Sequence, residues 1–158
     1  MTEAHVTEII PNLWLGDYNS ALNRNFLQGK KIRLVVNCTT HIDSLTNAGT
    51  LSLTLPILDK PINNLSEKDA KIWIENIQTI INIVDLYLGK NLGVLIHCHR
   101  GVQRSASVLA AYLIYKSRGK LNPTEAINTI LKRRPIAFNR GRNANFMMCL
   151  DYYYGLYK

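Results

Sequence analysis

One stretch of this chain combines residue types suited to holding and attacking an anion: His97-Cys98-His99-Arg100-Gly101-Val102-Gln103-Arg104-Ser105. A cysteine is followed, after five residues, by an arginine and a serine, with a glycine midway. Backbone N–H groups from His99 to Arg104 can curl into a nest for a phosphate, and a helix starting there adds its positive end. Gly101 permits a tight curl that a β-carbon would obstruct. Arg104 offers a planar fork matched to two phosphate oxygens. Cys98 lies under the same positive field, so its pKa should be lowered and the nucleophilic thiolate favoured near neutral pH. The plain alternative is a strand-end cysteine acting as a small hydrophobe, and the offsets of Gly101, Arg104 and Ser105 argue against it.

Such a loop needs a strand to deliver the cysteine and a helix to receive the arginine. Leu92 to His97 is a short continuous apolar run that reads as a strand, and a helix is expected over about Ser105 to Lys116. Upstream, Glu8 to Gly16 reads as two short strands around a Pro11-Asn12 turn. Asp17 can cap a helix running to about Gln28 and stopped by Gly29. Ile32 to Cys38 is rich in β-branched residues, and Thr50 to Leu55 alternates, so both read as strands. Pro56 to Asn64 is a loop that holds Asp59.

Ser66-Glu67-Lys68-Asp69 is a variant capping box. It opens a long helix with Trp73, Ile77, Ile80, Ile81, Val84 and Leu88 on one apolar stripe, read as core. Asn122-Pro123-Thr124-Glu125 sets a cap, a proline at the first helical position and a capping-box acid for a helix to about Arg133. A last helix covers Ala144 to Tyr154. Strands alternating with helices predict an α/β domain with a central, mostly parallel twisted sheet flanked by helices. In such sheets ligands bind beyond the carboxyl ends of the strands, which is where the Cys98 loop would lie.

Composition sets the bounds. A chain of 158 residues, 47% hydrophobic and 19% charged, fits a single globular domain over 1–158 rather than a disordered segment. No apolar run is long enough for a membrane span, and neither end reads as a secretory leader or a prenylation signal. The formal charge of +8 favours anionic partners such as phosphate esters, nucleic acid or acidic lipid. Cys38, Cys98 and Cys149 are far apart, without CxxC or metal-ligand spacing. That usage points to a reducing intracellular compartment, cytoplasmic or nuclear. Cys38 ends a strand expected beside the one ending at Cys98. It reads as a core cysteine, with a resolving role under oxidation as the alternative. Cys149 reads as packing, the Tyr152-Tyr153-Tyr154 tail as a helix end of mixed burial. Lys132-Arg133-Arg134 reads as a solvated helix end, or alternatively as a rim attracting acidic substrate.

The pattern HCxxGxxRS at 97–105 resembles the signature of the protein tyrosine phosphatase superfamily. The chain resembles its dual-specificity branch over about residues 8 to 154. Ile10 to Gly16 and Val35 to Cys38 look like that branch's opening segment and buried strand. Leu55-Pro56-Ile57-Leu58-Asp59 resembles the segment carrying its general acid, and Asn64-Leu65-Ser66 the start of the next helix. Arg134-Pro135, Asn143 to Phe146 and Leu150 look like its closing helix.

The resemblance implies a mechanism. Cys98 would attack phosphorus and form a phosphocysteine, while Arg104 and the amides of His99, Arg100, Gly101, Val102 and Gln103 bind the phosphate oxygens. Asp59 would protonate the leaving oxygen and then serve as base for water. The other acids fit less well, because Asp69 suits the capping position and Asp43 lies on an earlier loop. Ser105 would assist departure of the thiolate, with His97 and Asn143 supporting the loop. No cofactor or metal is called for, since Arg104 and the nest supply the positive charge.

The expected substrates are proteins phosphorylated on tyrosine and on serine or threonine. The alternative is the same chemistry on an RNA 5′-triphosphate end or a phosphoinositide. Supporting that alternative are the +8 charge and the His99-Arg100 pair. Arg100 and Gln103 stand where the family usually has Ala and Ser, and with His99 beside the nucleophile the loop is more cationic. The favoured reading has His99 and Arg100 facing outward. A catalytically dead binding module has no support, because Cys98, Arg104 and Asp59 are all present.

Overall fold

The computed structural model describes residues 5–40, 49–55, 67–138 and 144–158. Strands β1 (Val6–Ile10) and β2 (Leu13–Gly16) form an antiparallel hairpin. Its turn is closed by Asn12 at φ 69°, a left-handed conformation that asparagine tolerates better than most side chains. Strands β3 (Ile32–Asn37), β4 (Leu51–Thr54) and β5 (Gly93–His97) complete a five-stranded sheet of order β1-β2-β5-β3-β4. All pairings except the hairpin are parallel, which is the mostly parallel α/β sheet expected.

The connections from β2 to β3 and from β4 to β5 carry helices, the usual way a parallel sheet is crossed. Helices α1 (Tyr18–Leu22) and α2 (Arg24–Gly29) precede β3, and α3 (Glu67–Gly89) leads to β5. Three more follow: α4 (Arg104–Lys116), α5 (Pro123–Arg133) and α6 (Ala144–Gly155). The capping box at the start of α5 is made in full by Asn122 and Glu125. The single helix expected from Asp17 to Gln28 is instead broken in two. Asn23 leaves helical geometry and accepts a hydrogen bond from the Phe26 amide, starting a second helix. An asparagine side chain that captures an amide in this way competes with helix continuation.

The core divides by sheet face, following the two-residue period of strands. Val94 and Ile96 of β5, with Leu34 and Val36 of β3, pack into a large cluster with Ile77, Ile81, Leu109 and Ile127. Leu95 and Val35 point the other way and meet Ala21, Leu27 and Ile32. The expected stripe on α3 is core at Ile77, Ile80, Ile81 and Val84, with Trp73 and Leu88 partly buried against it. Tyr112 of α4 donates to Asp85 of α3 at 2.8 Å, fixing the helix that begins at Arg104 against its neighbour. Among the described residues no helix is long and apolar enough to cross a membrane.

Candidate active site

Strand β5 lies in the middle of the sheet and is buried at every position, so its carboxyl end is rigidly placed. Cys98 is the next residue. Its amide donates to the Gly16 carbonyl at 3.4 Å, and Tyr18 N–H donates to the His99 carbonyl at 3.2 Å. The chain then curls back into α4. Gly101 makes the curl possible twice over, because its φ is +68° and a β-carbon there would stand 2.6 Å from the Gly16 carbonyl oxygen.

The inner side of the curl converges on sulfur. The Gly101 amide lies 3.2 Å from Cys98 Sγ and donates to it, and the Ser105 hydroxyl donates from 3.1 Å. Burial alone pushes the Cys98 thiol up. The Ser105 hydroxyl and the amides of Ser105, Val102 and Gly101 outweigh it and hold the group below its ordinary value. The lowered value expected from sequence is present, and its leading favourable cause is Ser105, not a neighbouring cation. Cys38 behaves oppositely: fully buried, it is driven well up by desolvation and then by the charge on Cys98, with Arg104 opposing. Its amide donates to the His97 carbonyl at 2.8 Å, so it does sit beside the Cys98 strand as expected.

Arg104 and Ser105 open α4 and are buried, Arg104 to 5% exposure. Among the described residues no carboxylate pairs with the Arg104 guanidinium. Val102 and Gln103 are buried within the loop. His97 is buried, and its Nδ1 lies 3.3 Å from the Cys98 carbonyl, the geometry of an Nδ1–H donor. Burial lowers the His97 pKa against opposing pulls from the Cys98 carbonyl and Asp17, which favours a neutral ring. His99 and Arg100 are exposed, as the outward reading expected. Asp59 and Asn143, together with Asp43 and Ser66, lie outside the described residues.

Sequence reasoning missed two features. Arg134, read there as part of a solvated helix end, is 1% exposed and reaches the loop, while Lys132 and Arg133 do lie outside. The signal was Pro135. A proline forces the preceding residue out of helical geometry, here to φ −130° and ψ 84°, and so turns Arg134 away from the helix axis. The second feature is a cleft of about 330 Å³ lined by His5, Asp17, Tyr18, His99, Arg100, Val102 and Ile136. The Tyr18 and His99 rings stack there with centroids 5.1 Å apart, and His5 Nδ1 pairs with Asp17 at 2.6 Å.

A central parallel sheet ending in a cysteine-bearing anion loop that feeds a buried helix is the arrangement of a cysteine-centred phosphate-binding domain. The sequence profile of the dual specificity phosphatase catalytic domain matches residues 13–154, and the chain belongs to that family. Human dual specificity protein phosphatase 6 is 33% identical over 142 residues, covering 89% of this chain and 34% of its own length. The chain thus spans about a third of the length of such curated relatives. Among solved structures, human DUSP28 matches with a TM-score of 0.80 at 22% identity, over 96% of this chain and 93% of its own. The human tyrosine phosphatase-like serine/threonine/tyrosine-interacting protein also reaches 0.80, at 25% identity and 98% coverage of both chains.

Proposed function

We propose that the chain hydrolyses phosphate esters of tyrosine and of serine or threonine in proteins, through a phosphocysteine intermediate and one catalytic domain. The observation that carries this reading is the pair of donors, Gly101 N–H and Ser105 Oγ–H, aimed at a buried Cys98 sulfur whose pKa is lowered. The family match and the relatives named as protein phosphatases support the substrate class.

Cys98 attacks phosphorus as the thiolate; the S–P bond forms as the bond to the leaving oxygen breaks. Asp59 gives its proton to that oxygen, so an alcohol or phenol departs. Arg104 and the loop amides bind the equatorial oxygens, where charge must be held through the transition state. Water then attacks the phosphocysteine, its proton passes to the Asp59 carboxylate, and the thiolate leaves. Ser105 already donates to that sulfur and stabilises it as a leaving group. His97 and Asn143 support the loop. The cleft beside the loop, with Tyr18, Val102 and Ile136 among its lining, suits the residues that flank a phosphorylated side chain. An intracellular, reducing setting keeps Cys98 from being oxidised and fits this chemistry.

The test compares phosphate release from three substrates at one salt concentration, with Cys98→Ser as the blank. They are a peptide phosphorylated on threonine and tyrosine, an RNA with a 5′-triphosphate, and a phosphoinositide in micelles. The peptide should exceed both others in kcat/KM by about tenfold or more, ~1.4 kcal/mol in transition-state terms. A preference for RNA or lipid would overturn the protein-substrate reading and make the exposed His99-Arg100 pair the informative feature.

A further inference from the structure

The outer side of the phosphate loop is engaged at successive carbonyls from Cys98 to Val102. The Cys98 carbonyl faces His97 Nδ1 at 3.3 Å, and the His99 carbonyl accepts from Tyr18 N–H at 3.2 Å. Arg134 reaches the next two: Nη2 donates to the Arg100 carbonyl at 3.2 Å and Nε to the Gly101 carbonyl at 3.0 Å. The Val102 carbonyl accepts from Phe138 N–H at 2.8 Å. In a trans peptide the C=O of one residue and the N–H of the next point in opposite directions. A donor that fixes the Arg100 carbonyl outward therefore aims the Gly101 N–H inward, where it meets Cys98 Sγ. Fixing the Gly101 carbonyl does the same for the Val102 N–H.

The supporting segment is itself constrained. Arg134 is held at its far end by Thr7 of β1, which accepts from Nη1 at 3.0 Å. Phe138 is buried at φ 58°, a left-handed conformation that costs a bulky side chain energy and persists only where its surroundings enforce it. Its N–H is thereby delivered to the Val102 carbonyl. The Arg134 fork spans two consecutive carbonyls in a way that a single ammonium cannot reproduce.

We infer that Arg134 is a positioning residue for the reaction, a buried fork that holds the 100–101 and 101–102 peptides with their N–H groups turned toward the Cys98 sulfur and the bound phosphate. It acts from behind the loop and touches neither substrate nor sulfur. The inference rests on the reading of Cys98 as nucleophile, but its principal readout does not need turnover.

The experiment measures the pH midpoint of Cys98 alkylation by iodoacetate, and the Kd for orthovanadate, in wild type, Arg134→Lys and Arg134→Met. Both variants should raise the midpoint by about half a pH unit and weaken vanadate by about tenfold. In both, kcat should fall more than KM rises. Arg134→Lys keeps the charge, so recovery of wild-type values in that variant would overturn the fork. A lower Tm with midpoint and vanadate Kd unchanged would reduce Arg134 to a packing residue and also overturn the inference. If neither variant folds, Thr7→Val, which removes the hydroxyl that accepts from Nη1, should shift the midpoint in the same direction, and no shift would overturn the proposal. A wild-type protein that releases no phosphate from any substrate, yet shows these shifts, would defeat the functional reading and leave the positioning role standing.

Discussion

Arg100 and Arg134 meet through a hydrogen bond from the Arg134 guanidinium to the Arg100 carbonyl, yet their side chains occupy opposite environments. Arg100 stands on the rim with His99, exposed beside the cleft that Tyr18 and Ile136 help to line. Arg134 lies behind the loop at 1% exposure, with its donors engaged by backbone carbonyls and Thr7. A charge on the rim is screened by water and salt and acts weakly on the sulfur. A buried donor set that fixes peptide planes acts through geometry, which salt does not screen. The cationic character of this loop, conspicuous in sequence, thus matters less for Cys98 than the neutral donors inside it and the arginine behind it.

This contrast can be sharpened by substitution. The largest effect is expected from Asp59→Ala, which should slow a phosphopeptide with its poor leaving group by about a hundredfold. An aryl ester with a good leaving group should be affected far less, as measured by kcat on both. Equal losses would assign the proton to another residue. Next, Ser105→Ala removes the strongest favourable influence on the sulfur. The iodoacetate midpoint should rise by about one pH unit, with slower breakdown of the phosphocysteine. An unmoved midpoint would return the lowering to the cations.

The sign of the pH dependence follows from the same group. Because the Cys98 pKa is lowered in the fold, activity rises as pH climbs through its native value. Between that value and 9.0, the ordinary thiol figure, the unfolded chain holds a proton that the native chain lacks, so stability also rises with pH. That contribution is lost as pH falls through the native value, and denaturant titrations of wild type and Cys98→Ser should diverge accordingly. The smallest effect is expected on the rim. Arg100→Ala should change kcat/KM on a phosphotyrosine peptide by less than about threefold, with a weakened salt dependence. A loss of tenfold or more would place the rim charge in substrate capture and erase the contrast.

Much of this arrangement was legible in the chain. The β5-loop-α4 unit follows from an apolar run, a glycine and the spacing of Cys98, Arg104 and Ser105, all local features. The Asn122 capping box was equally local and forms as written. Asn23 was a local signal too, a preferred cap residue overlooked because the surrounding pattern reads through as one helix. Arg134 was of another kind. Its partners are Arg100, Gly101 and Thr7, brought to it only when α5 packs against β1, so nothing in the neighbouring sequence beyond Pro135 marks it as buried. The cause of the Cys98 shift was likewise hidden, since a hydroxyl seven residues away acts only once the loop has closed.

The central claim is that Cys98 carries the phosphoryl group during turnover. Acid quench of the protein mixed with a phosphotyrosine peptide, followed by mass spectrometry of the fragment containing Cys98, tests it directly. A phosphoryl adduct on Cys98 that appears within the first turnover and is missing in Cys98→Ser is the predicted result. Turnover that persists in Cys98→Ser, or a phosphoryl group found on another residue, would contradict it.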